Sequence, residues 1–153
     1  MQYMKDMDKI DAHILHSLEL DGRLSNTELA KKVGLSPSAC LRRTQDLERR
    51  GVIKGYRAVL DRKQLGAGVT VFVMVGLSEH SRYYSKGFEK AMAVAPEVRE
   101  CHNVTGSVEY LLRVEVADLE SYKNFHRDTL GTLSHVSSMT SYITLDSPKD
   151  MRA

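Results

Sequence analysis

From residue 8 to residue 50 the apolar side chains recur every three or four positions, the spacing of an amphipathic helix. Ile10, Ile14, Leu15 and Leu18 stripe the segment Asp8–Leu18, and Leu29, Ala30 and Val33 stripe a second, shorter one. A third segment, running to Arg50, places Cys40, Leu41, Thr44 and Leu47 inward and Ser38, Ala39, Arg42, Arg43, Asp46 and Arg49 outward. After Gly51 the rhythm changes. Val52–Leu60 reads as an extended strand, and a lone strand after three helices needs a partner, for which a second copy of the chain is suited. Val69–Leu77 is a run of buried-strand character, and Tyr83–Val94 is a helix with Phe88, Ala91 and Met92 inward, ending before Pro96. Val98–Val104 and Tyr110–Val116 read as strands about a turn at Gly106, Asp118–Leu130 as a helix, and Val136–Leu145 as a closing strand. The order strand-helix-strand-strand-helix-strand is that of a ferredoxin-like sandwich. The expected class is therefore α+β, with a helical unit over residues 1–60 and a ferredoxin-like βαββαβ unit over residues 61–153. Helices cover one face of such a sheet, so the other face is expected to be buried by another subunit.

The helical unit carries its own punctuation. Ser25-Asn26-Thr27-Glu28 has the form of a capping box, in which a hydroxyl and a carboxylate satisfy backbone N–H groups at a helix start. Gly34 suits the left-handed residue that stops a helix. Ser36 is placed as the N-cap of the next helix, with Pro37 at its first position. Two capped helices joined by a glycine-containing turn form a helix-turn-helix, whose second helix enters the major groove of DNA. On that helix Ser38 and Ala39 are small enough for close approach to base edges, while Arg42, Arg43 and Arg49 can reach guanine or phosphate. Ser25, Ser36 and Pro37 bring helix N-termini within reach of the backbone. The same arginines also suit a solvated helix paired with Asp46 and Glu48, and taken alone they leave both readings open.

Charge favours the DNA reading. The chain has a net charge of only +2, but residues 1–60 hold 11 Lys and Arg against 8 Asp and Glu. Within residues 23–57 the count is 9 against 3, while residues 61–153 hold 11 against 12. A basic head on a near-neutral body suits nucleic-acid binding by several heads acting together. With 42% hydrophobic and 27% charged residues the composition is that of a soluble, ordered protein. No apolar run approaches the roughly 18 residues of a membrane span, and no signal-peptide core precedes residue 8. Cys40 and Cys101 lie far apart, so no disulfide is expected and a cytoplasmic location follows.

No metal site or cofactor is expected. His13 and His16 lie three apart but lack further ligands, and His80, His102, His126 and His135 show no ligand spacing. Neither a nucleophile elbow, a phosphate loop nor paired carboxylates appear. Tyr83-Tyr84 reads as helix packing, and the tail from Ser147 to Ala153 as a surface extension.

These segments together resemble the Lrp/AsnC family of transcription regulators over almost the whole chain. The likeness is carried by DKIDAHILHSLELDGRLSNTELAKKVGLSPSACLRR (Asp8–Arg43), LERRGVIKGYRAVLD (Leu47–Asp61) and ECHNVTGSVEYLLRVEVADLESY (Glu100–Tyr122). The resemblance implies a winged helix-turn-helix head, a linker strand and a ligand-sensing domain. It also implies homodimers joined through their sheets, dimers assembled into an octamer, and an effector, usually an amino acid, held between dimers beside the glycine turn. Carried onto this chain, the effector residues are Asn103, Val104, Thr105, Gly106, Glu109 and Tyr110, with His135 before the last strand. Many members have Asp at the position of Glu109, and a Pro-Gly pair where this chain has Ser134-His135. A zwitterion needs an acceptor for its ammonium, which Glu109 can supply, and N–H donors for its carboxylate, which the backbone around Gly106 can supply. The expected function is a sequence-specific, effector-responsive regulator and not an enzyme. Two alternatives stand beside it: an architectural DNA-wrapping protein with little effector control, and a tetrapyrrole-pathway decarboxylase of similar fold.

Overall fold

The computed structural model describes residues 7–78 and 82–150, and the chain falls into two compact units that divide between Ala58 and Val59. The first unit holds helices α1 (Lys9–Leu20), α2 (Asn26–Val33) and α3 (Pro37–Arg49). Each begins on the chemistry its sequence supplies. The Asp8 carboxylate caps α1 by accepting from the Ile10 N–H at 2.7 Å. The Ser25 N–H donates to the Glu28 carboxylate at 2.9 Å while the Glu28 N–H donates to the Ser25 hydroxyl at 3.3 Å, closing the box on α2. Gly34 leaves α2 at φ 72°, a left-handed conformation that costs a glycine little. Ser36 then caps α3 over the Ala39 N–H. Ile14, Leu29, Ala30, Cys40 and Leu47, drawn from all three helices, form the buried core.

Residues 52–60 form no strand. The N–H groups of Val52 and Ile53 turn back onto the Leu47 carbonyl at 2.9 and 3.2 Å, the Tyr56 phenol donates to the Glu48 carboxylate at 2.8 Å, and among the described residues no strand ladder forms along the segment. A ladder needs a second backbone, and β-prone side chains cannot make one alone.

The second unit runs β1 (Val69–Leu77), α4 (Arg82–Val94), β2 (Val98–Asn103), β3 (Tyr110–Val116), α5 (Leu119–Asp128), a 3-10 turn at Leu130–Thr132 and β4 (Val136–Ile143). Its strands make one antiparallel sheet in the order β2-β3-β1-β4, the ferredoxin-like arrangement. The expected helix to Leu130 therefore ends two residues early, in the tighter turn, and the last strand stops at Ile143. Val71, Val73 and Val75 of β1 and Leu112 and Val114 of β3 are completely buried on one face with Phe88, Met92 and Phe125 from the helices. Strand side chains alternate, so Phe72 and Met74, paired with Arg113 and Leu111, point to the opposite face. Thr140 and Tyr142 of β4 join that open face. It also holds an ion cluster: Glu115, only 8% exposed, is shared by Arg62, Arg99 and Arg113, and Arg113 also meets Glu100 at 3.0 Å.

Candidate functional site

The outward face of α3 is the first candidate. Ser36, Pro37, Ser38, Arg42 and Arg49 are exposed, and Ala39 is half-buried. Leu41, expected to face inward, is 45% exposed, and Gln45 is exposed as well. Counting from Ser38 by three and four residues reaches Leu41, Arg42, Gln45 and Arg49, so all five share one stripe. The sequence pattern places Leu41 inward and does not single out Gln45. The count itself could have found both. Ser25 is exposed at the head of α2. Asn26 ties the two helices together, its side-chain amide donating to the Pro37 carbonyl at 2.8 Å.

The three arginines do not share one state. Among the described residues Arg42 makes no hydrogen bond or ion pair. Arg49 and Arg50 both meet the Asp46 carboxylate, and these partners, Arg49 first, hold Asp46 below the usual carboxylate range. Arg43 corrects an expectation. Its guanidinium is turned back onto α1, 2.8 Å from Asp11 and 3.0 Å from Asp8, and hydrogen bonds to those two carboxylates push its pKa up. The Asp8 cap and Asp11 of α1, one turn apart, hold the guanidinium between them, so this side chain braces the reading helix.

The second candidate is the turn between β2 and β3. Gly106 adopts φ 138°, a conformation that side-chain-bearing residues rarely adopt. Thr105 and Gly106 are exposed and Val104 is half-buried. The backbone around them is closed by the Val104 N–H and the Asn103 side-chain amide, which both donate to the Glu109 carbonyl, at 2.9 and 3.1 Å. The Glu109 carboxylate reaches across to β1 and accepts from the Leu77 N–H at 2.7 Å. His135 lies at the same end of the sheet. Its carbonyl accepts from the Ser78 N–H at 2.9 Å and its ring lies against Tyr84, with centroids 3.7 Å apart and planes tilted by 40°.

Tyr110 requires a second correction. It is 1% exposed, packs on Phe88 with centroids 4.6 Å apart, and donates its phenol proton to Glu89 at 2.8 Å. Glu109 lies in the bend just before β3, whereas Tyr110 alternates in phase with the buried Leu112 and Val114. Tyr110 belongs to the helix side, and burial first, then the Glu89 bond, pushes its phenol pKa up. A recess of about 490 Å³ opens at the far end of β1, between Thr70 and Thr144, away from the Gly106 turn. Among the described residues no cluster of three or more His, Cys, Asp or Glu is placed to hold a metal ion, and no helix is long and apolar enough to cross a membrane. His80 and Met151–Ala153 lie outside the described residues.

Known proteins share both units. Residues 7–48 match the model of the AsnC-type helix-turn-helix domain, and residues 70–153 match that of the Lrp/AsnC ligand binding domain. The leucine-responsive regulatory proteins of Klebsiella pneumoniae and Escherichia coli K12 are each 41% identical to this chain over 145 residues, covering 95% of it and 88% of the relative. Among solved structures, a transcriptional regulator from Neisseria meningitidis in complex with L-methionine superposes with a TM-score of 0.90 at 34% identity, covering 94% of this chain and 93% of that one. An AsnC family transcriptional regulator from Agrobacterium tumefaciens superposes at 0.89 with 37% identity, covering 94% of each.

Proposed function

The chain belongs to the Lrp/AsnC family of transcriptional regulators, and from that premise we propose how its own residues read DNA and sense an effector. The observation that carries the DNA reading is the exposed stripe on α3, whose N-terminus Ser36 caps. Ser38, with Ala39 beside it, approaches base edges. Arg42, with no internal partner to give up, reads a base, while Arg49 exchanges Asp46 for phosphate. Ser25, Ser36 and Pro37 set the helix starts against the backbone. Arg43 serves from behind, by holding α3 on α1.

The effector is an amino acid, held beside Gly106 by Asn103, Val104, Thr105, Glu109 and His135. Relatives are named for their response to leucine, and one structural neighbour was solved with L-methionine. A carboxylate and a glycine turn with accessible backbone are chemically suited to such a zwitterion. The open face of the sheet, with Phe72, Met74, Leu111 and Tyr142, is covered by a second copy of the chain. Dimers assemble into an octamer in the cytoplasm, and the protein catalyses no reaction.

The test begins with selection of a DNA site from a random pool by the purified protein. Gel-shift titration on that site follows, with and without each of the twenty protein amino acids. The expected result is a pseudo-palindrome with half-sites one or more helical turns apart, and an affinity or footprint that one or a few amino acids change. Sequence-indifferent binding, or no response to any amino acid, would overturn the reading.

A further inference from the structure

Two side chains on the outward face of α3 have no role inside the chain. Leu41 is 45% exposed and takes no part in the core that Cys40 and Leu47 of the same helix help to build. Gln45, one turn further on, is exposed, and among the described residues its amide makes no hydrogen bond. The side chains around them are engaged. Arg43 is held by Asp8 and Asp11, and Asp46 takes both Arg49 and Arg50. Gln45 lines an open recess of about 700 Å³ with Arg42, Asp46 and Arg49, so nothing in the helical unit covers its amide.

The helix sets these two groups in a definite order. At 3.6 residues per turn, Gln45 lies about 20° from Ser38 around the axis, with Leu41 about 40° further to one side and Arg42 about 60° to the other. Gln45 is therefore near the middle of the stripe, and Leu41 is on its flank. Each matches one feature of the major groove. Adenine shows an N7 acceptor beside an N6 donor, and a primary amide meets both at once, its N–H donating to N7 and its oxygen accepting from N6. Thymine's methyl is the apolar group on the groove floor, so a leucine can cover it without stranding a donor or acceptor. Four residues of helix rise about 6 Å, and base pairs stack about 3.4 Å apart, so the two contacts fall about two base pairs from each other.

We propose that Gln45 reads an adenine through its amide and that Leu41 covers the methyl of a thymine about two base pairs away. The proposal rests on the reading of α3 as the helix that enters the major groove. It goes beyond that reading by assigning base identities and by giving specificity to two residues that carry no charge. Arg42 on the opposite flank supplies a separate contact, so each half-site combines an A·T reading with the arginine's own base.

The experiment uses the full-length protein and the duplex it selects from a random pool. In one half-site each adenine is replaced in turn by 7-deazaadenine, which lacks the N7 acceptor, and each thymine by uracil, which lacks the methyl. Affinities are read by fluorescence anisotropy. Wild type should lose about tenfold at one adenine, the order of a bidentate base contact, and Gln45→Ala should bind the two duplexes alike. Wild type should lose about fourfold at one thymine, the order of one buried methyl, and Leu41→Ala should be indifferent to that change. Selection repeated with Gln45→Arg should exchange the adenine for guanine, whose O6 and N7 suit a guanidinium.

Both side chains lie outside the core, and circular dichroism checks that each variant is folded. A wild-type site at which no adenine or no thymine replacement lowers affinity would overturn the proposal. So would a variant that keeps the full wild-type loss, or a Gln45→Arg protein that selects the same adenine. Each of these leaves α3 standing as the reading helix. If wild type selects no site at all, the DNA reading falls and this proposal falls with it.

Discussion

Replacing Tyr110 with phenylalanine removes a single oxygen from the centre of the second unit. The ring stays where it is, 1% exposed and against Phe88. What is lost is first the bond from the phenol to the Glu89 carboxylate, 2.8 Å long, and with it the contacts of the same oxygen with Ser85 and Asn103. A hydrogen bond to a charged acceptor contributes about 1.5–3 kcal/mol when both ends are dry, and a typical bond nearer 1 kcal/mol. Glu89 is exposed and keeps its water, so the lower figure applies and the expected cost is about 1 kcal/mol. In a unit of under about 100 residues this lowers the melting temperature by about 4–8 °C. Urea unfolding of wild type, Tyr110→Phe, Glu89→Gln and the double variant measures the bond directly, and the coupling should be about 0.5–1.5 kcal/mol. Amino-acid affinity in Tyr110→Phe should equal that of wild type, because the side chain lies on the helix side of the sheet. A tenfold loss of affinity with unchanged stability would refute the placement and return Tyr110 to the effector site.

Arg42→Ala should lower affinity for the selected DNA site by about 1–3 kcal/mol if the guanidinium reads a base. Arg43→Ala should instead lower the melting temperature of the helical unit and leave the salt slope of DNA binding unchanged, whereas loss of a phosphate contact would reduce that slope by about one. Phe72→Glu or Met74→Glu places a charge on the open sheet face and should yield a monomer by light scattering, and a persistent wild-type assembly would show that face to be free. The caps also make stability depend on acid. The Ile10 N–H first and then Arg43 hold Asp8 low, the Ser25 hydroxyl and N–H hold Glu28 low, and the Ser121 N–H holds Asp118 low. A carboxyl whose folded pKa lies below its unfolded value stabilises fully above the unfolded value and loses that contribution as pH falls through the folded one. Melting temperatures should therefore drop below about pH 4, and Glu28→Gln should flatten its share of that drop.

Most of the helical unit was legible because its signals are local. Ser25 with Glu28, Gly34, and Ser36 with Pro37 each act within four residues, and the structure uses all of them as caps. The Arg43 brace was not legible, since Asp8 and Asp11 lie more than thirty positions away and only the packing of α1 on α3 brings them near. Tyr110 was misplaced despite a readable signal: it alternates in phase with the buried Leu112, Val114 and Val116. Residues 52–60 have strand composition, but composition carries no information about a partner.

The shared carboxylate on the open sheet face restricts how this protein can change over generations. Glu115 balances three guanidinium groups at once, and the Nε of Arg113 is already buried without a partner. Losing Glu115 alone would strand several cations, and losing Arg113 would take a partner from both Glu115 and Glu100, whereas losing Arg62 or Arg99 leaves the carboxylate still matched. Drift can therefore begin at Arg62 or Arg99, at the rim, while positions 113 and 115 can be exchanged only together. Lineages that diverged from this chain should carry the arginine and the glutamate as a linked pair, with the outer arginines free to vary.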